Sequence, residues 1–263
     1  MIAIIAILAG MLLPALNRAR ETARGISCTN QMKSIFQASM LYTSDFNDWI
    51  LPASVRSSLS AADKSDSTVH EWSDHWYGIL SGYTPNRDYR KRHPSYGLQY
   101  NGDLYTKTGG SFVCASEPVG FGAYGDGKFY YTHYAINRCL TGEKNGTVFA
   151  ARWRKTSCLK AASEAVIFMD SRLLDQYSAF ALKSPAFRHG MKDPRAYQAY
   201  SSLTNASAGL CRGRSNFAFM DGHVQGAAYL EMTKWKPAYD ITNYNLGFTD
   251  SRYDPFIRGF DPR

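Results

Sequence analysis

"MIAIIAILAGMLLPALNRAR" (Met1–Arg20) decides how the rest of the chain is read. The run from Met1 to Asn17 carries no charge, and Arg18, Arg20 and Arg24 follow it. At about 1.5 Å per residue such a helix is roughly 25 Å long, slightly less than a hydrocarbon core of roughly 30 Å. A secretory signal needs a basic segment ahead of its apolar stretch, and only Met1 precedes this one. A buried soluble helix shows a polar stripe, but Ile2, Ile4, Ile5, Ile7, Leu8, Met11, Leu12 and Leu13 leave none. Pro14 removes one backbone donor and kinks a helix, which membrane helices tolerate better than soluble ones. Residues 1–17 are therefore expected to form an apolar helix facing lipid or an intermolecular bundle.

Beyond Asn17 the pattern changes. Met32, Ile35, Phe36, Met40 and Phe46, with Ser39 and Tyr42 or Thr43 among them, recur at intervals of three and four and form one stripe on a polar helix. The spacing predicts one helix from about Ile2 to Asp48, packed on a globular domain through that stripe. The chain then divides into the apolar helix (1–17), an amphipathic spine helix with its exit turn (18–52) and a sheet domain with long loops (53–263). Arginines directly after the apolar run would by themselves keep the C-terminal domain in the cytoplasm, but long domains translocate despite such charges.

In the globular part, "KFYYTHYAI" (128–136) and "TVFAARW" (147–153) are β-branched and aromatic runs beside the turn signals "GDGK" and "EKNG". "EAVIFMD" (164–170) reads as a short buried strand. "SNFAFM-DG-HVQGA" reads as two strands joined at Asp221-Gly222, a dipeptide suited to the positive φ of a tight hairpin. A long helix followed by an antiparallel sheet makes the fold class α+β.

With 44% hydrophobic and 20% charged residues the chain belongs with folded proteins, not disordered tails. A net charge of +8 permits attraction to acidic surfaces. The basic clusters "RDYRKRH" (87–93), "RWRK" (152–155) and "RGR" (212–214) have aromatic neighbours, but rings are frequent everywhere, so they are read as solvated faces and not as a nucleic-acid track. Cys28, Cys114, Cys139, Cys158 and Cys211 contain no C-x-x-C pair and no His at zinc-site spacing, which argues against structural zinc. Outside the cytoplasm these five allow two disulfides and one thiol, with the pairing open; the alternative is five small buried hydrophobes.

No catalytic motif stands out. "HEWSDH" (70–75) begins like a zincin, but its second His falls at i+5, about 140° around a helix from the first. Asp221 and His223, two residues apart on a hairpin, are read as turn and strand-face residues before metal ligands. Asp45, Asp48, Asp63, Asp66, Asp170 and Asp175 offer oxygens for calcium, without the spacing of a dedicated loop. G-x-S-x-G, P-loop and dinucleotide fingerprints are absent, so no cofactor and no enzyme activity is expected.

The segment from Ile2 to Pro52, with its apolar helix, proline, "LNRARE", Ser-Cys pair, amphipathic stretch, acidic Asn-containing turn and Leu-Pro, resembles the N-terminal helix of prepilin-like proteins. These are the pseudopilins of type II secretion and type IV pilus systems. "FVCAS", "YYTHYAINRCL", "SEAVIFMDS", "FRHG" and "NFAFMDGHV" are similar to later segments of the bacterial group that carries a His...Asp-Gly signature, here His189 with Asp221, Gly222 and His223. Thirty-one residues lie between His189 and Asp221, more than in the family pattern, which implies an inserted loop around "MKDPRAYQAYSSLTNASAGLCRG". The family's leader, Gly cleavage site and Phe-Thr-Leu-Ile-Glu segment have no counterpart before Met1, so the expectation is that such residues belong upstream; the alternative is a paralogue that does not assemble.

The resemblance implies a pilin-like structural subunit. It would be anchored in the inner membrane with its globular domain outside the cytoplasm, or carried on a surface filament, with lipid, other pilin-like subunits and assembly machinery as partners. Some relatives bind calcium. The competing reading is an anchored surface module that holds a glycan or other ligand through Trp72, Trp76, Tyr77, Tyr83, Tyr89 and Tyr96; a hydrolase is third.

Overall fold

The computed structural model describes residues 2–55, 74–82, 96–99, 110–143, 152–179, 184–191, 193, 211–235 and 258–261, with the side chains of residues 2, 3, 6 and 9 outside that description. Most of the predicted strand at 147–153 also lies outside the described residues.

Helix α1 (Ile2–Asp45) is continuous through Pro14. It ends where Asn47 and Asp48 adopt left-handed φ angles of 50° and 65°, a conformation that short polar side chains accept and that breaks the helical ladder. The stop therefore comes three residues before the predicted Asp48. Phe46 consequently lies beyond the helix and is 40% exposed, stacked on Tyr42 with ring centroids 4.4 Å apart. It does not join the packed stripe. Met32, Ile35 and Phe36 do, together with Cys28, Ser39, Tyr42 and Thr43, while Met40 lies at the edge of the core, partly buried. Ser39 and Thr43 are accommodated because their hydroxyls donate back to Phe36 O (2.7 Å) and Ser39 O (2.9 Å).

The stripe covers one mixed sheet. Its strands are β1 (Tyr134–Asn137), β2 (Val166–Asp170), β3 (Ser178–Ala179), β4 (Arg214–Phe219) and β5 (Val224–Ala228), in the order β3-β1-β2-β4-β5. The expected all-antiparallel sheet is corrected at one edge, where β3 pairs with β1 in parallel. Strand β1 occupies only the end of the predicted 128–136 run. The Asp-Gly hairpin is present: Ala218 pairs with Val224, and Gly222 takes φ +93° at the turn. Short helices α2 (Trp76–Ser81), α3 (Arg138–Thr141) and α4 (Tyr229–Met232) complete the domain. α1 packs on β4, β2, β5 and α2.

Packing along α1 begins at Cys28, one turn before the predicted stripe starts at Met32. Every described side chain from Ile4 to Arg24 is exposed, and Cys28 is the first that is buried. Ile4, Ile5, Ile7, Leu8, Met11, Leu12, Leu13 and Leu16 are 56–71% exposed. Among the described residues no helix is long and apolar enough to cross a membrane.

Candidate functional site

Where α1 meets the sheet, a cluster of polar groups is buried among the apolar ones. Cys28 enters it from the packed face of α1. Cys114 comes from the 112–121 loop, which is tied down twice: the Cys114 N–H donates to His133 Nδ1 (3.0 Å), and Glu117 pairs with Arg188. Both side chains of the Glu117–Arg188 pair are almost fully buried, and the other arm of the guanidinium donates to the carbonyls of His133 and Ser171, each at 2.8 Å. His189 is aligned by reciprocal backbone bonds with Arg214, the first residue of β4 (3.0 and 2.9 Å). These bonds close the excursion between 189 and 214 and bring the chain back to the sheet.

Asp170, the last residue of β2, organises the centre. It is fully buried; its Oδ2 accepts from the Asn216 N–H (2.7 Å) and faces His189 Nε2 at 2.9 Å, and its Oδ1 lies 3.8 Å from Arg188. Burial alone would raise the carboxyl, but His189, Arg188 and the Asn216 N–H outweigh it and hold Asp170 below the usual carboxylate range. The same pairing raises His189 against a burial that would lower it. The Cys114 thiol donates to Cys28, which brings Cys28 down to about 6 in spite of burial, while Cys114 is pushed far up by that bond and by burial. A ligand-capable atom from each of Cys28, Cys114 and His189 lies within 4.8 Å of the others, the one such grouping among the described residues.

The sequence-level candidates disperse around this centre. None of the five cysteines is joined to another by a disulfide. Cys139, pushed up to about 12 by burial, is a core residue whose N–H donates to Asn137 Oδ1 (3.0 Å). The His189 and Asp221 halves of the signature do not share a site, because they flank opposite ends of β4, roughly 20 Å of strand apart. Asp221 serves the turn, its Oδ1 accepting from the N–H of His223 (3.2 Å) and facing His223 Nδ1 (2.6 Å).

Of the expected ligand-binding aromatics, Trp76 and Tyr77 are core residues, with Trp76 Nε1 donating to Tyr177 O (2.8 Å). Tyr96 is partly buried against the core, and Trp72, Tyr83 and Tyr89 lie outside the described residues, as do His70, Glu71, Asp63, Asp66 and the 87–93 basic cluster. In the 152–155 cluster Arg154 is buried and donates to Cys139 O (3.0 Å) and Arg152 O (2.9 Å), so it is not a surface cation.

The Cys28–Cys114–His189 grouping was not visible in sequence. Each member comes from a different segment, and the reading that excluded zinc used local spacing alone. Glu117 carried no sequence signal, and Arg188 entered only as part of the "FRHG" segment, with no role attached to it. No family model matches the chain, and no curated protein or solved structure is significantly similar to it.

Proposed function

We infer that the chain is a pilin-like structural subunit that assembles through the free end of α1, with the sheet domain displayed outside the helical core of a filament serving protein secretion or surface display. The supporting observation is the exposure of eight large apolar side chains between Ile4 and Leu16 on a helix whose next part, from Cys28, is firmly packed. Fully burying a side chain of this size is worth roughly 1.5–3 kcal/mol, so covering the part now exposed is worth on the order of 10 kcal/mol per chain. Water is a poor resting place for such a surface; equivalent helices and lipid acyl chains both suit it. The order of segments from Ile2 to Val224 that resembles the prepilin-like group favours assembly.

Scrambling residues 4–13 at constant composition tests this reading. Hydropathy and membrane association are preserved, while the surface that meets neighbouring helices is lost. Sedimentable filaments, or site-specific cross-links between copies through a cysteine placed at Leu8, are expected from the native order and not from the scrambled one. Equal assembly by both would leave α1 as a plain anchor.

A further inference from the structure

The buried grouping at the helix–sheet seam has the composition and second shell of a metal site. We propose that Cys28, Cys114 and His189 bind a thiophilic divalent cation, zinc, which clamps the spine helix to the sheet domain. The ligand set is two thiolates and an imidazole, a borderline-soft donor set that suits Zn²⁺ and suits calcium or magnesium poorly. A tetrahedral zinc with Zn–S near 2.3 Å and Zn–N near 2.0–2.1 Å needs its ligand atoms roughly 3.6–3.8 Å apart. The three atoms already lie within 4.8 Å of one another, so side-chain adjustments of about 1 Å would close the site.

The histidine carries the second observation. Asp170 engages Nε2 at 2.9 Å, and in the neutral imidazole, the form that ligates metal, an ionised carboxylate there holds the one ring proton on Nε2. The remaining nitrogen, Nδ1, is buried without a hydrogen-bond partner on a side chain that is only 10% exposed. A lone pair left bare in the interior is costly unless something accepts it. Nδ1 faces α1, 3.8 Å from where a Cβ on Gly25 would stand, one turn before Cys28. Asp170 supplies the carboxylate–histidine arrangement that orients a ligating imidazole and raises its basicity.

Access is also present. A cleft of about 590 Å³ is lined by Arg18, Glu21, Thr22, Gly25, His189 and Arg214, so His189 forms part of its wall. Three protein ligands leave a fourth position for water from this cleft. The three come from α1, the 112–121 loop and the segment before β4, so one ion would join elements that chain connectivity leaves far apart. This clamp does not depend on how the free end of α1 is used.

Cobalt(II) is the probe. The full chain in detergent micelles, reduced and freed of metal, is titrated with Co²⁺ and then with Zn²⁺. One equivalent of Co²⁺ with thiolate-to-cobalt charge-transfer absorption and the intense visible bands of a tetrahedral ion is expected, bleached by one equivalent of Zn²⁺. Cys28→Ser and Cys114→Ser should abolish the charge-transfer band, Cys158→Ser should keep it, and Asp170→Asn should weaken binding roughly 10–100-fold. Where a serine variant fails to fold, His189→Gln decides, with at least a tenfold loss of Co²⁺ affinity expected. Absence of the band in the reduced native chain overturns the proposal. So does a band that survives Cys28→Ser, an unchanged affinity in His189→Gln, or a native chain isolated with Cys28 and Cys114 joined as a disulfide that takes up no Co²⁺ after reduction.

Discussion

Replacing Gly222 by alanine separates two reasons for a glycine at the β4–β5 turn. The first is conformational: φ is +93°, and an L-residue with a Cβ pays roughly 1–2 kcal/mol in the left-handed region, partly offset by about 0.4–1 kcal/mol from the stiffer unfolded chain. The second is steric, since an added Cβ would stand 3.0 Å from Cε1 of Phe36, a residue only 8% exposed between α1 and the sheet. Crowding a packed core costs typically about 1–3 kcal/mol. The expected total for Gly222→Ala is about 2–4 kcal/mol. Gly125 supplies the reference: its φ is +87°, and a Cβ there meets nothing within 4 Å, so Gly125→Ala should cost only about 1 kcal/mol. Urea unfolding of the full chain in one micelle system, followed by tryptophan fluorescence, measures both. In a Phe36→Leu background the excess cost at Gly222 should shrink by about 1 kcal/mol, as a coupling energy between touching residues. Equal costs at Gly222 and Gly125, or an excess unchanged by Phe36→Leu, would refute the claim that the hairpin turn is seated on the helix.

The same unfolding assay checks three further outcomes. Asn137→Ala removes a side chain that donates to Val166 O (2.8 Å) and accepts from the Cys139 N–H (3.0 Å); two buried backbone groups lose their partner, and about 2–3 kcal/mol should be lost. Glu117→Ala takes the nearer carboxylate from the buried Arg188 guanidinium and leaves Asp170 3.8 Å away, and because these side chains are shielded from solvent the cost should be about 3 kcal/mol; a change under about 1 kcal/mol would mean that the loop carrying Cys114 is held by other contacts. Trp76→Phe keeps an aromatic in the core but leaves the Tyr177 carbonyl without its indole donor, at a cost of about 1–3 kcal/mol, read as a lower urea midpoint at unchanged slope.

Hydrophobic periodicity and turn chemistry, which need only neighbouring residues, determined the parts of this protein that can be read in the chain itself. The interval of three and four in Met32, Ile35 and Phe36 predicts the face of α1 that the structure buries. The run "EAVIFMD" predicts β2, and Asp221-Gly222 predicts the hairpin. The bare apolar run ahead of Asn17 predicts a helix with no partner in its own domain, and Ile4 to Leu16 lie exposed accordingly. Backbone torsion and tertiary structure decided the rest. Local backbone torsion at Asn47 and Asp48 ended the helix before Phe46 could join its stripe. The parallel edge strand β3 spans two residues and is defined by its pairing with β1, too short to carry a period of its own. Cys28, Cys114, His189 and Asp170 are far apart in the chain and meet because α1 packs on β2 and β4. Ligand geometry depends on distances in space, and spacing along a sequence reports those distances only when all the ligands share one local element.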